Sequence, residues 1–171
     1  YNNLGIKIEK MLDTINTNDI KELEFKTKEL RDMIISSTLS EDHRNSIIEH
    51  YHALSKQYGR LNMEVAIRSS ALSEDLPNAS FAGQHDSYLN IKGDDNIIIA
   101  VKECFASLFN GRAVSYRKTH NIQLSDVKIS VAVQKMIRSD IGSAGVAFSL
   151  DPETGYNKAI VINSAFGLGE L

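Results

Sequence analysis

The sequence predicts an α+β (α/β) fold: a helical segment, then a mixed sheet with inserted helices. Three observations carry that reading. Apolar residues recur every three or four positions through residues 1–60, the period drops to two at Met63, and three further strand candidates follow residue 126.

Taken in order, a short helix is expected from about Leu4 to Ile15. Ile20, Leu23, Thr27, Leu30 and Ile34 then lay one apolar stripe along a second helix, which Asn18 or Asp19 could cap. A third starts at Ser40, with Glu41 and Asp42 in the dipole-favoured first turn. It buries Ile47, Ile48, Tyr51 and Leu54 and ends near Gly59, a C-cap. MEVAIRS, from Met63, alternates as a strand with Val65 and Ile67 on one side, and SYLNIK makes a second short strand. Asp94 and Asp95 open a helix through IIIAVKECFASLF to a stop at Asn110 and Gly111, and RAVSYRKTH forms another. The strand candidates VKISVAVQKMI, SAGVAFSL and KAIVINSA follow, with turn chemistry at Asp151-Pro152 and Thr154-Gly155.

Composition narrows the function classes. With 42% hydrophobic and 24% charged residues, the 171-residue chain is an ordinary globular one. No run approaches the ~20 apolar residues of a membrane span, and YNNLGIKIEK is not a signal peptide, so a cytoplasmic protein is the expectation. Nineteen basic against twenty-two acidic residues argue against nucleic acid as partner. A single cysteine, Cys104, gives neither disulfide nor thiolate zinc cluster, and its place on the apolar side of a helix suits packing better than nucleophilic catalysis. The five histidines form no ligand spacing, so no metal site is assigned. Both ends read as cut, the mark of a piece of something longer.

Four stretches could carry chemistry. Arg68, leaving a buried strand, presents a rigid fork suited to phosphate or carboxylate, or else an ion pair with Glu74, Asp75 or Asp86. Residues 64–90 carry one basic and four acidic residues, so an anion held there depends on Arg68, backbone groups and cations from elsewhere. Ser80, Ala82 and Gly83 are small enough for backbone N–H groups to approach an anion, and Ser87 adds a hydroxyl. In VAVQKMI, Gln134 C=O and Met136 N–H could face one ligand as the donor and acceptor that adenine needs, or the run is a core strand. In AFGLGEL, Gly167 and Gly169 lead to Glu170, a ribose or metal contact or a solvated turn residue.

Together, RSSALSEDLPNASFAGQHDSYLN, CFASLFNGRAVSYR, VAVQKMIRSDIGSAGVAFSLDPETG and SAFGLGE resemble, in order, the nucleotide-binding domain of the phosphoenolpyruvate synthase family. The resemblance implies an ATP-grasp-like fold with 1–60 as its helical part and 61–171 as its mixed-sheet part, truncated at both ends. It implies ATP and Mg2+, and phosphoryl transfer to a histidine on a separate mobile domain and then to pyruvate, giving phosphoenolpyruvate, AMP and phosphate. A homodimer of the full-length enzyme is compatible with it. Arg68 matches the phosphate-contacting arginine; Ser80, Gly83 and Ser87 match the loop over the phosphates; Gln134, Lys135 and Met136 match the adenine hinge; Gly169 and Glu170 match the acidic end near the ribose. The family's early lysine, metal carboxylates and phosphohistidine motif are not among these residues, so the chain alone is expected to be inactive and to bind ATP weakly or not at all. Rifampicin phosphotransferase and pyruvate phosphate dikinase share much of the signature, and a non-catalytic nucleotide-binding module is the alternative of another class.

Overall fold

A computed structural model describes residues 4–71, 75–76, 79–80, 86–123 and 129–168, with the backbone alone at 71, 75–76 and 79–80. It is a mixed α+β structure, divided into two compact units, Tyr1–Met136 and Ile137–Leu171.

The first unit begins with three helices, α1 (Leu4–Thr14), α2 (Ile20–Ser36) and α3 (Glu41–Gln57). Asp19 caps α2: its carboxylate accepts from the N–H groups of Lys21 and Glu22 at 3.0 and 3.1 Å. The expected stripe holds at Leu23, Thr27 and Leu30, which are buried. Ile20 departs from it, being 69% exposed. Ser40 caps α3, accepting from His43 N–H, and Arg60 N–H reaches back to Ser55 C=O around Gly59, whose φ is +67°. That left-handed residue closes the helix at no steric cost. In α3, Tyr51 and Ser55 are the buried residues, while Ile47 and Leu54 pack at the margin of the core.

Strand β1 (Val65–Ala71) lies between β4 (Ser87–Ile91) and β5 (Ile129–Lys135) in an antiparallel sheet ordered β4-β1-β5. Two short strands, β2 (Asp75–Leu76) and β3 (Ala79–Ser80), pair separately. Helix α4 (Asp94–Ala106) covers one face of the three-stranded sheet: Val65 and Ile67 pack with Ile97, Ala100, Val101 and Cys104. Tyr51 fastens this core, since its hydroxyl donates to Met63 C=O at 2.9 Å and accepts from Gly93 N–H at 3.1 Å. A 3-10 turn, Ser107–Phe109, leads to α5 (Gly111–Thr119). Asn110 is therefore both a stop and a start, its side chain accepting from Ala113 N–H at 2.8 Å as the cap of α5. Ile8, Ile15, Leu23, Leu30, Leu108, Phe109 and Val114 make a second core within the helical layer.

The second unit is a hairpin of β6 (Ser143–Phe148) and β7 (Val161–Phe166) in regular antiparallel register. The expected turn between them is built by Asp151, whose C=O accepts from Gly155 N–H at 2.8 Å and whose N–H donates to Tyr156 C=O at 2.9 Å. Gly155 sits at φ +72°, which the turn requires. At Gly145 a Cβ would come within 2.5 Å of Asn163 O, so the hairpin's close approach depends on glycine. Among the described residues no helix is long and apolar enough to cross a membrane.

Candidate functional site

Strand alternation gives β1 two unlike faces. Val65 and Ile67 point into the core, both 0% exposed, so Ala66, Arg68 and Ser70 point to the opposite side. Cross-strand partners share a face. The register sets Arg68 opposite Ser87 on β4 and Ala132 on β5, Ala66 opposite Gln134, and Ser70 opposite Ser130. Three of the expected site residues, Arg68, Ser87 and Gln134, thus stand on three adjacent strands and on one sheet face, the face α4 leaves open. Among the described residues, their neighbours on this face are the alanines Ala66 and Ala132 and the serines Ser70 and Ser130.

Arg68 is exposed and takes part in no ion pair among the described residues. Of its expected partners, Asp86 is engaged by Arg112 at 3.5 Å, while Glu74 and the Asp75 side chain lie outside the described residues. Ser80 is described through its backbone, paired with Asp75 in the β2–β3 ladder. Gly83, Gly169 and Glu170 lie outside the described residues.

The backbone pair at Gln134 and Met136 is corrected. Met136 N–H donates to Glu64 C=O at 3.0 Å, which makes Glu64 and Met136 a hydrogen-bonded rung and, by alternation, Ala66 and Gln134 the next. The main-chain groups of Gln134 and Met136 therefore face β1. Those that β5 turns away from β1 belong to Val131, Val133 and Lys135. The Lys135 side chain lies on the other sheet face, its Nζ 4.0 Å from the centroid of the Tyr58 ring.

The electrostatics separate the two faces. Behind the sheet, burial followed by the nearby Asp86 charge pushes the Cys104 thiol up to about 11. Burial first, then Asp86, raises Tyr88 to about 12. Both groups stay neutral near neutral pH, and Cys104 is fully buried, which rules it out as an accessible nucleophile. Among the described residues Arg68 is then the cation that β1 presents on the side away from Val65 and Ile67, suited to an anion with several acceptor oxygens. No group of three or more His, Cys, Asp or Glu able to hold a metal occurs among the described residues. The cavities of about 520 and 660 Å3 lie within the helical layer and are lined by other residues. Arg68, Ser87 and Gln134 line neither of these cavities, so cavity size does not locate their face.

Sequence reasoning did not single out Ala66, Ala132, Ser70 and Ser130, the neighbours of Arg68, Ser87 and Gln134 on their sheet face. The signal was present in MEVAIRS, where alternation already puts Ala66 beside Arg68. Arg117, buried in α5, was also not singled out; its spacing of three from buried Val114 was the available clue.

Comparison with known proteins adds the family context. Residues 1–171 match the family described as pyruvate phosphate dikinase, AMP/ATP-binding domain. The chain is 49% identical over 171 residues to the phosphoenolpyruvate synthase of Aquifex aeolicus (strain VF5), covering 100% of the chain and 20% of that protein. It is 48% identical over 164 residues to the enzyme of that name from Helicobacter pylori (strain ATCC 700392 / 26695), covering 96% and 20%. With the Escherichia coli (strain K12) phosphoenolpyruvate synthase it shares 42% over 165 residues, covering 96% and 21%. The chain spans about one fifth of the length of these relatives.

Proposed function

The chain belongs to the pyruvate phosphate dikinase AMP/ATP-binding domain family, and from that premise we propose that it is the ATP-binding part of a phosphoenolpyruvate synthase. In this reading the whole enzyme passes a phosphoryl group from ATP to a histidine on a mobile domain and then to pyruvate, releasing phosphoenolpyruvate, AMP and phosphate. The domain is ATP-grasp-like, with 1–60 and 61–171 as its two parts, and the enzyme works in the cytoplasm. The relatives' names favour the synthase over an antibiotic phosphotransferase or a dikinase.

The observation that carries the proposal is the face shared by Arg68, Ser87 and Gln134. Phosphoryl transfer is governed by positioning and charge neutralisation more than by covalent participation of the protein. Arg68 offers a planar fork to phosphate oxygens, and Ser87 on the neighbouring strand offers a hydroxyl. Two inter-strand spacings, about 10 Å in all, run from β5 across β1, which carries Arg68, to β4, which carries Ser87. That is the scale on which a nucleotide could present its base to β5 and its phosphates to Arg68 and Ser87. For the adenine edge we assign Val133 C=O and Lys135 N–H, the groups β5 turns outward, in place of the Gln134 and Met136 pair. Ser80, Gly83, Gly169 and Glu170 are kept as proposed contacts on the family resemblance. The described residues do not form a Mg2+ cage; the proposed Mg2+ accompanies the nucleotide, held through its phosphates, and no step is assigned to it.

Arg68→Ala in the full-length protein tests the reading. Loss of a charge-assisted phosphate contact should reduce AMP formation by about 10²–10³-fold. Because Arg68 is exposed, stability should change by no more than about 0.5 kcal/mol. Unchanged turnover with unchanged folding would remove Arg68 from the site.

A further inference from the structure

Residues 64–90 carry one basic side chain against four acidic ones, so an anion held there needs cations from elsewhere. The fold brings one of them to Asp86. This residue immediately precedes Ser87, the first residue of β4 and the register partner of Arg68. Two helices reach it. From α5, Arg112 Nη2 donates to the Asp86 carboxylate at 3.5 Å, and from α4 the Cys104 thiol donates to the Asp86 C=O at 3.9 Å.

Arg112 is misplaced by the rules of its own helix. It stands in the first turn of α5, which carries no acidic residue, and a cation there meets the positive end of the helix dipole. Arg117 and Lys118, by contrast, stand in the favoured last turn. The helix gives no reason for Arg112, and Asp86 does. Both side chains of the pair are partly exposed, so it acts through charge and not as a buried lock. The Asp86 charge is felt around it: after burial, it is the strongest influence raising the Tyr88 hydroxyl and the Cys104 thiol. Tyr88 follows Ser87 in β4, so the same field falls on the strand that carries the proposed phosphate contact.

We propose that Arg112 is a positioning residue for the nucleotide phosphates: it cancels the Asp86 charge beside Ser87, so that a polyanion approaches Arg68 without meeting an uncompensated carboxylate. The inference rests on the nucleotide reading of the Arg68 face. Arg112 touches no nucleotide in this scheme and acts only through Asp86.

Mg-ATP binding by the full-length protein, measured by titration calorimetry in a double-mutant cycle, tests it. Arg112→Gln should weaken binding by about threefold, the scale of one uncancelled charge several ångströms from a phosphate at a protein surface. The ratio between parent and variant should shrink toward one between about 0.05 M and about 0.5 M salt, because screening replaces what the arginine supplied. Arg112→Lys keeps the charge and should bind as the parent does. In an Asp86→Asn background Arg112→Gln should make no difference, since no carboxylate remains to cancel. A merely structural role would instead lower the melting midpoint and leave the ratio independent of salt, and that result would overturn the proposal. Arg68→Ala keeps two failures apart. If it leaves Mg-ATP binding intact, the nucleotide reading falls and this inference with it. If it weakens binding while Arg112→Gln binds as the parent, or loses as much in the Asp86→Asn background, the inference alone is overturned.

Discussion

Arg68 stands on the middle strand of its sheet, yet on the face the core leaves uncovered, and this combination fixes the arginine's base without neutralising its charge. From the sequence alone an ion pair and an anion contact were both open, because strand alternation gives a side chain's face but not its neighbours across the sheet. The register supplies them: Ser87 and Ala132 stand opposite, and Asp86 is drawn to Arg112 instead. Arg68→Lys should keep the charge and lose the fork, so Mg-ATP binding by the full-length protein, measured by titration calorimetry, should weaken by about tenfold or more. Cys104 gives a prediction of the opposite kind. Its thiol is raised from 9.0 to about 11 in the folded chain, so the unfolded chain loses that proton first as pH rises. The stability from keeping the thiol neutral is full below pH 9 and is lost between pH 9 and about 11. Denaturant titrations across that window should show stability falling, with a smaller slope in Cys104→Ala, and thiol reagents should label the native protein slowly at neutral pH.

Among the elements, helix boundaries were the most legible, because caps are local chemistry. Asp19 and Ser40 announce α2 and α3 and do cap them, and Gly59 ends α3 through the left-handed turn its lack of a Cβ permits. Asp19→Ala should cost about 1 kcal/mol in chemical denaturation. The orientation of the β5 backbone was not legible. Which residues turn their N–H groups outward depends on the rung a partner strand forms, and only the bond from Met136 to Glu64 reveals it. Tyr51 was legible as a core residue but not as a clamp. Tyr51→Phe keeps the ring and strips a partner from Met63 C=O and Gly93 N–H, which should cost about 1–3 kcal/mol. In β6, Gly145→Ala would force a Cβ against Asn163 O; hydrogen exchange should show protection lost across β6 and β7 while β1 and β5 keep theirs.

At the scale of the whole molecule, the α+β class was readable because it depends on periodicity, which each segment carries in itself. The division after Met136 was not, since it follows from which segments share a core. Residues Tyr1–Met136 enclose two apolar cores, whereas the unit after them is a two-stranded hairpin, an arrangement marginal on its own in water. Expressed separately, 1–136 should give dispersed amide spectra and a cooperative melt, and 137–171 should give neither. That hairpin also bears Ile162 at 69% and Phe166 at 97% exposure along strands whose outer edges are unpaired among the described residues. Such edges template intermolecular pairing unless a charge interrupts them. In the test tube, handling the 171-residue chain becomes a matter of colloidal behaviour: light scattering should grow with concentration, and Ile162→Lys should keep the solution clear.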